Sequence, residues 1–142
     1  MRTTLAVLVG LLCGSIPTLV KGQNATAAEG YMLQERCGKQ AAAAFAKDYV
    51  ATETTKDGQR MFNYENHYSQ KLNKCFYLEI ATFVEKGKWS KQLRVFDLNE
   101  NKEYGSYWRS DSQPNYTECL VGETRCSSEK EWRELVKPYL ED

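Results

Sequence analysis

Residues 63–80 read NYENHYSQKLNKCFYLEI, and they place the chain's only histidine, His67, among carboxamides, tyrosines and lysines just before Cys75 and an apolar run. From Cys75 the pattern takes a period of two. Phe76, Leu78, Ile80 and Val84 alternate with Tyr77, Glu79 and Ala81, as a half-buried strand requires. "EKGK" then turns the chain, and "WSKQLRVFDL" alternates again with Leu93 and Val95 opposite Arg94. "NENK" is a second turn, "EYGSYW" a third strand, and "ECLV" a short strand after the loop "SDSQPNY". Turns at such intervals predict an antiparallel meander. On this reading residues 63–74 are the polar lead-in to a strand that starts at a cysteine.

The flanks read as helices. From Tyr31 to Val50 there is no proline and much alanine, and Leu33, Cys37, Ala41, Ala44, Phe45 and Tyr49 share one broad face, with Arg36, Lys39 and Lys47 opposite. Gln34 and Asp48 intrude on that face, and Gly38 weakens the helix. "TETTKDGQR", residues 52–60, reads as loop, with Asp57-Gly58 a turn signal. Near the end, Ser128 followed by Glu131 forms a capping box before Trp132, Leu135, Val136, Tyr139 and Leu140 at helical spacing. Pro138 should end or kink that helix, leaving "YLED" as a separate turn. The expected fold is α+β: an N-terminal helix and a short C-terminal helix packed on one face of an antiparallel β-meander of three to five strands.

Residues 1–27 have the form of a secretory signal peptide, with a basic start, the apolar run "LAVLVGLLCG" and a small-residue stretch "KGQNATAAEG". Cleavage falls between residues 22 and 28, after Gly22 or after Ala27. The apolar run is shorter than the roughly 20 residues that span a bilayer. Leu12 stands where a lipobox ending at Cys13 needs a small residue. Residues 28–142 then make a single disulfide-stapled α+β domain, long enough to bury about two-thirds of its unfolded surface. The expected localisation is secreted or periplasmic, with no integral membrane segment in the mature chain.

Cysteine number agrees with secretion, because Cys37, Cys75, Cys119 and Cys126 form an even set. There is no CxxC or CxH pair, so the spacing of a zinc site is missing. Of three possible pairings, Cys119–Cys126 closes a local loop through "LVGETR" and leaves Cys37 to meet Cys75. Without Arg2 and Lys21, seventeen basic residues face nineteen acidic ones, and a net charge of −2 argues against an electrostatic nucleic-acid binder. Lys86, Lys88, Lys91 and Arg94 around one turn read as a solvated hairpin.

The chemical signals are few. Asp97, Asn99 and Asn101 are spaced like calcium ligands, but Lys102 stands where the EF-hand bend needs glycine and Trp108 where a bidentate glutamate should close the shell. No metal or cofactor is expected. Asn115-Tyr116-Thr117 and Asn24-Ala25-Thr26 are N-glycosylation sequons. An enzymatic reading rests on His67, with Glu65 to orient it and Lys71 or Tyr68 to stabilise negative charge; a small hydrolase of nuclease or phosphate-cleaving type is the alternative it supports. The binding reading rests on nine tyrosines and three tryptophans. Tyr64, Tyr77, Tyr104, Tyr107, Trp89 and Trp108 on alternating strands are candidates for a platform, and Tyr64, His67, Tyr68, Tyr104 and Trp108 for the binding residues.

Tyr64, Asn66, His67, Tyr68, Lys71, Leu72, Lys74 and Cys75, then Asp97, Glu100, Tyr104 and Gly105, then Lys137, Pro138 and Tyr139, form a pattern over most of the mature chain. It resembles an uncharacterised family of small secreted or periplasmic bacterial proteins with no assigned activity; Ser69 departs from the asparagine expected there. The resemblance implies a bacterial secreted protein and carries over no functional residue. Cystatin-like folds share the helix-on-meander outline, but their Q-x-V-x-G loop is missing here. The expected function is a non-enzymatic binding or inhibitor-like domain whose partner is a protein or cell-envelope component.

Overall fold

The computed structural model describes residues 26–141, so all but the last two residues of the expected signal peptide, 1–27, and the sequon asparagine Asn24 lie outside the described residues. Helix α1, Ala27–Asp48, starts at Thr26 through a reciprocal cap. The Glu29 carboxylate accepts from the Thr26 N–H at 2.7 Å, and the Thr26 hydroxyl accepts from the Glu29 N–H at 3.3 Å. A bond broken after Gly22 leaves this cap whole, whereas one broken after Ala27 falls inside the first turn.

Seven strands follow: β1 Thr52–Thr55, β2 Gly58–Ser69, β3 Lys74–Glu85, β4 Lys88–Asp97, β5 Lys102–Ser110, β6 Thr117–Val121 and β7 Thr124–Arg125. Each pairs antiparallel with its neighbour in the chain, giving the sheet order β1-β2-β3-β4-β5-β6-β7. The α+β class therefore holds, and the expected three to five strands are too few. The lead-in reading of residues 63–74 is corrected as well: residues 58–69 form β2, and a turn containing Asn73 at φ 52° carries them into β3. Residues 52–55 and 58–60, read as loop, belong to the β1–β2 hairpin. Period two was hidden in β2 because its two faces carry nearly the same chemistry. Phe62, Tyr64 and Asn66 point inward while Met61, Asn63 and Glu65 are exposed.

Helix α2, Glu129–Leu140, packs on the side of the sheet opposite α1. The expectation that both helices cover one face is wrong, and β3 shows why. Cys75 through Glu79 are buried in an unbroken run, which a strand shows only when both of its faces are covered. Phe76 and Leu78 join Leu93, Val95, Tyr107 and Val121 beneath Trp132 and Val136 of α2. Cys75 faces α1, in a smaller cluster with Cys37 and Tyr68. Trp132 reaches its place because residue 105 is glycine: a Cβ there would stand 3.1 Å from the Leu120 carbonyl oxygen and 3.5 Å from the indole nitrogen. Pro138 does not end α2. It lies in the last turn, and the Glu141 N–H still donates to the Lys137 carbonyl at 2.8 Å.

Each helix is tied to the fold by its own disulfide. Cys37–Cys75 joins α1 to β3 with Cα atoms 5.4 Å apart, and Cys119–Cys126 joins β6 to the segment leading into α2 with Cα atoms 5.0 Å apart. This is the pairing expected from the loop lengths.

Candidate functional site

Helix α1 packs chiefly on β2 and β3, through a stack of aromatic rings. Phe45 lies 4.9 Å from Tyr64, Tyr49 4.7 Å from Phe62, and Tyr64 5.5 Å from Tyr77, centroid to centroid. Among the described residues, neither helix covers the same side of β4–β6. Register places Gln92, Arg94 and Phe96 of β4, Ser106 and Trp108 of β5, and Glu118 and Leu120 of β6 on it. Tyr116, 53% exposed, packs on Trp108 with centroids 5.7 Å apart.

Between the wall of α1 and this floor runs a groove of about 280 Å³, bounded by Asp48 and Tyr49 on one side and Arg94 and Phe96 on the other. At its base sits a buried carboxylate. Glu79 accepts from Arg94 Nε at 2.9 Å and Nη2 at 2.6 Å on one oxygen, and from the Tyr49 hydroxyl at 2.7 Å on the other. Glu79 and Arg94 are cross-strand neighbours in the β3–β4 ladder, which fixes the pair. Burial opposes the charge on Arg94, but the bond to Glu79 and the negative charges of Glu79 and its neighbours together outweigh it and raise the guanidinium's pKa further. The Arg94 side chain also lies over the Phe96 ring at 5.0 Å.

Tyr77 forms part of the floor and differs from its neighbours. Only 4% of it is exposed, and its hydroxyl has no hydrogen-bond partner among the described residues. Burial first, and the charge on Glu79 second, push that hydroxyl's pKa far upward, so it stays protonated.

The residues singled out from the sequence fall on both sides of the sheet. Tyr64, Tyr68 and Trp108 are on the α1 side, but Tyr64 is a structural ring in the stack and Tyr68 is buried, its hydroxyl donating to Asn73 Oδ1. Only Trp108 lies on the open floor. Tyr104 packs against Phe76 and Tyr139 on the α2 side, where Tyr107 is also buried and Trp89 is exposed. His67 pairs across the ladder with Phe76, is half-buried, and borders a recess of about 340 Å³ with Tyr31, Gln34 and Gln70. Glu65 is exposed two residues away on the same strand face, and Lys71 lies in the β2–β3 turn. The four basic residues around the β3–β4 turn also separate: Arg94 is bound to Glu79 on one face and Lys91 to Glu129 on the other.

No group of three or more metal-ligating side chains occurs among the described residues. The Asp97-x-Asn99-x-Asn101 stretch is the β4–β5 connection, in which the Asp97 carboxylate is held by Lys74 Nζ and by the Asn99 N–H at 2.9 Å. Among the described residues no helix is long and apolar enough to cross a membrane. Asn115 is exposed in the loop before β6.

Sequence reasoning missed Asp48, Tyr49, Glu79 and Arg94 as a group. A signal for two of them was present: counting outward from the turn at Lys86-Gly87 puts Glu79 opposite Arg94. The chain matches no protein-family model, no curated protein and no solved structure.

Proposed function

We propose that the protein is a non-enzymatic binding domain, secreted or periplasmic after loss of residues 1–27, and that its ligand sits on the α1 side of the sheet. The supporting observation is the floor of β4–β6, where Trp108 and Leu120 stand on the strands and Tyr116 packs on Trp108 from the loop before β6. Aromatic side chains held on strands offer large contact area with little ordering cost on binding. The two disulfides suit an oxidising compartment.

Affinity capture with the oxidised mature protein as bait tests this reading when run beside a Trp108→Ala/Tyr116→Ala variant and a His67→Ala variant. The expected result is a partner, protein or cell-envelope component, retained by wild type and by His67→Ala and lost by the aromatic double variant. Retention by the double variant would move the site elsewhere. A turnover abolished by His67→Ala in a folded protein would replace binding with the small-hydrolase reading.

A further inference from the structure

We propose that the groove between α1 and β4 receives a cationic side chain, lysine or arginine, of an extended basic segment of a protein partner. This rests on the reading of the α1 side as the binding face. Three observations lead to it. The first is the hydroxyl of Tyr77, a residue that lines the groove: it is buried without a partner among the described residues. Buried hydroxyls are almost always satisfied, so one left unpaired beside a groove is poised for a ligand atom. The second is charge. Among the residues that line the groove, Glu79 and Asp48 face one guanidinium, Arg94, and Glu103 stands next to Phe96 in the ladder. Glu118 and Arg125, farther out on β6 and β7, offset each other. A cation is favoured there and an anion repelled. The upward shift of the Tyr77 hydroxyl comes first from burial, and the charges on Glu79 and Asp48 add to it.

The third observation is shape. Ala44, Phe96 and Leu98 supply an apolar lining against which the methylene stem of a lysine or arginine packs. The terminal N–H groups then donate to the Tyr77 hydroxyl oxygen and to the Asp48 carboxylate. A free amine shares this chemistry, but only a longer ligand also covers the floor at Trp108, and that favours a peptide.

Calorimetry on the full mature chain tests the assignment with a short capped peptide of alternating lysine and alanine, its glutamate counterpart, and capped lysine alone. The lysine peptide should bind, more weakly at high salt, and the glutamate peptide should not. Tyr77→Phe and Asp48→Asn should each weaken binding by about tenfold, the scale of one hydrogen bond or ion pair to a charged group. Glu35→Gln makes the same charge change as Asp48→Asn but on a residue outside the groove that is paired with Lys39, and it should leave binding unchanged. Absence of binding by the lysine peptide, equal binding of the glutamate peptide, equal loss with Glu35→Gln, or no loss with Tyr77→Phe would each overturn the assignment. Capped lysine binding as tightly as the peptide would overturn the peptide and leave a free amine as ligand. If the assignment fails while capture still depends on Trp108 and Tyr116, the binding face stands and only the ligand class falls.

Discussion

At the scale of single residues, the unusual position is Tyr77. A hydroxyl withdrawn from water without a hydrogen bond costs stability, by about 1–3 kcal/mol in proteins. Removing it should therefore do no harm to the fold. Tyr77→Phe is expected to match wild type or exceed it by up to about 1 kcal/mol in urea unfolding, since the ring and its stacking on Tyr64 are kept. A loss of more than about 1 kcal/mol would mean that the hydroxyl is satisfied in the native protein. Combined with the binding loss predicted above, a neutral or stabilising change separates a group kept for a ligand from one kept for the fold. Glu79 and Arg94 were legible because strand pairing around a turn is arithmetic. The unpaired Tyr77 hydroxyl was not, because no local pattern tells whether α1 will bring a partner to it. His67 drew attention by its rarity, and rarity says nothing about the face on which a side chain emerges.

Elements were legible where one face is apolar and the other polar. Helix α2 was readable to within a few residues from Ser128, Glu131 and the spacing of Trp132, Leu135 and Val136, whereas the effect of Pro138 and the face on which α2 packs were misjudged, and the Glu131 carboxylate accepts from the Ser127 N–H rather than closing a capping box on Ser128. The β1–β2 hairpin was not readable, since polar residues occupy both of its faces and α1 satisfies part of its edge: the Tyr68 N–H donates to Gln34 Oε1 at 2.7 Å. One tie between α2 and β4 has a pH signature. Glu129 accepts from Lys91 of β4 at 2.7 and 2.9 Å and from Arg133 of its own helix at 2.9 Å. Burial pushes the Glu129 pKa up, but these two cations outweigh it and leave the pKa below its ordinary value of 4.5. A carboxylate with a lowered folded pKa contributes stability that is complete above its unfolded pKa and is lost as pH falls through the folded value. The groups are about 30% exposed, so the tie contributes less than about 1 kcal/mol. Glu129→Gln should be less stable than wild type by that amount at neutral pH, with the gap closing below about pH 4. A gap that stays constant into acid would assign the effect to packing.

The whole molecule is a single sheet with unequal cores on its two sides. The α2 side buries Phe76, Leu78, Leu93, Val95, Tyr107 and Val121 beneath Trp132 and Val136, whereas on the α1 side Cys37, Tyr68 and Cys75 form a small cluster beside the aromatic stack. Helix α1 also carries Gly38 at mid-length. The Cys37–Cys75 bridge, spanning 38 residues, therefore holds a weakly packed helix to a well-packed sheet. Loop entropy assigns it about 4 kcal/mol, against about 2.5 for Cys119–Cys126, whose span is 7 residues. The manner of loss should differ more than the amount. Without Cys37–Cys75, by a Cys37→Ala/Cys75→Ala variant, hydrogen exchange should speed first in α1 and at Tyr68, while β3–β5 and α2 keep their protection. Without Cys119–Cys126, which sits in the α2-side core, protection should fall across the whole sheet together. Uniform acceleration in both variants would show that α1 and the sheet unfold as one unit. Because α1 is one wall of the groove, local release of α1 predicts that the first variant loses ligand binding while its sheet remains folded. Far-ultraviolet circular dichroism retaining the strand signal, beside absent binding in calorimetry, is the expected pair of readings.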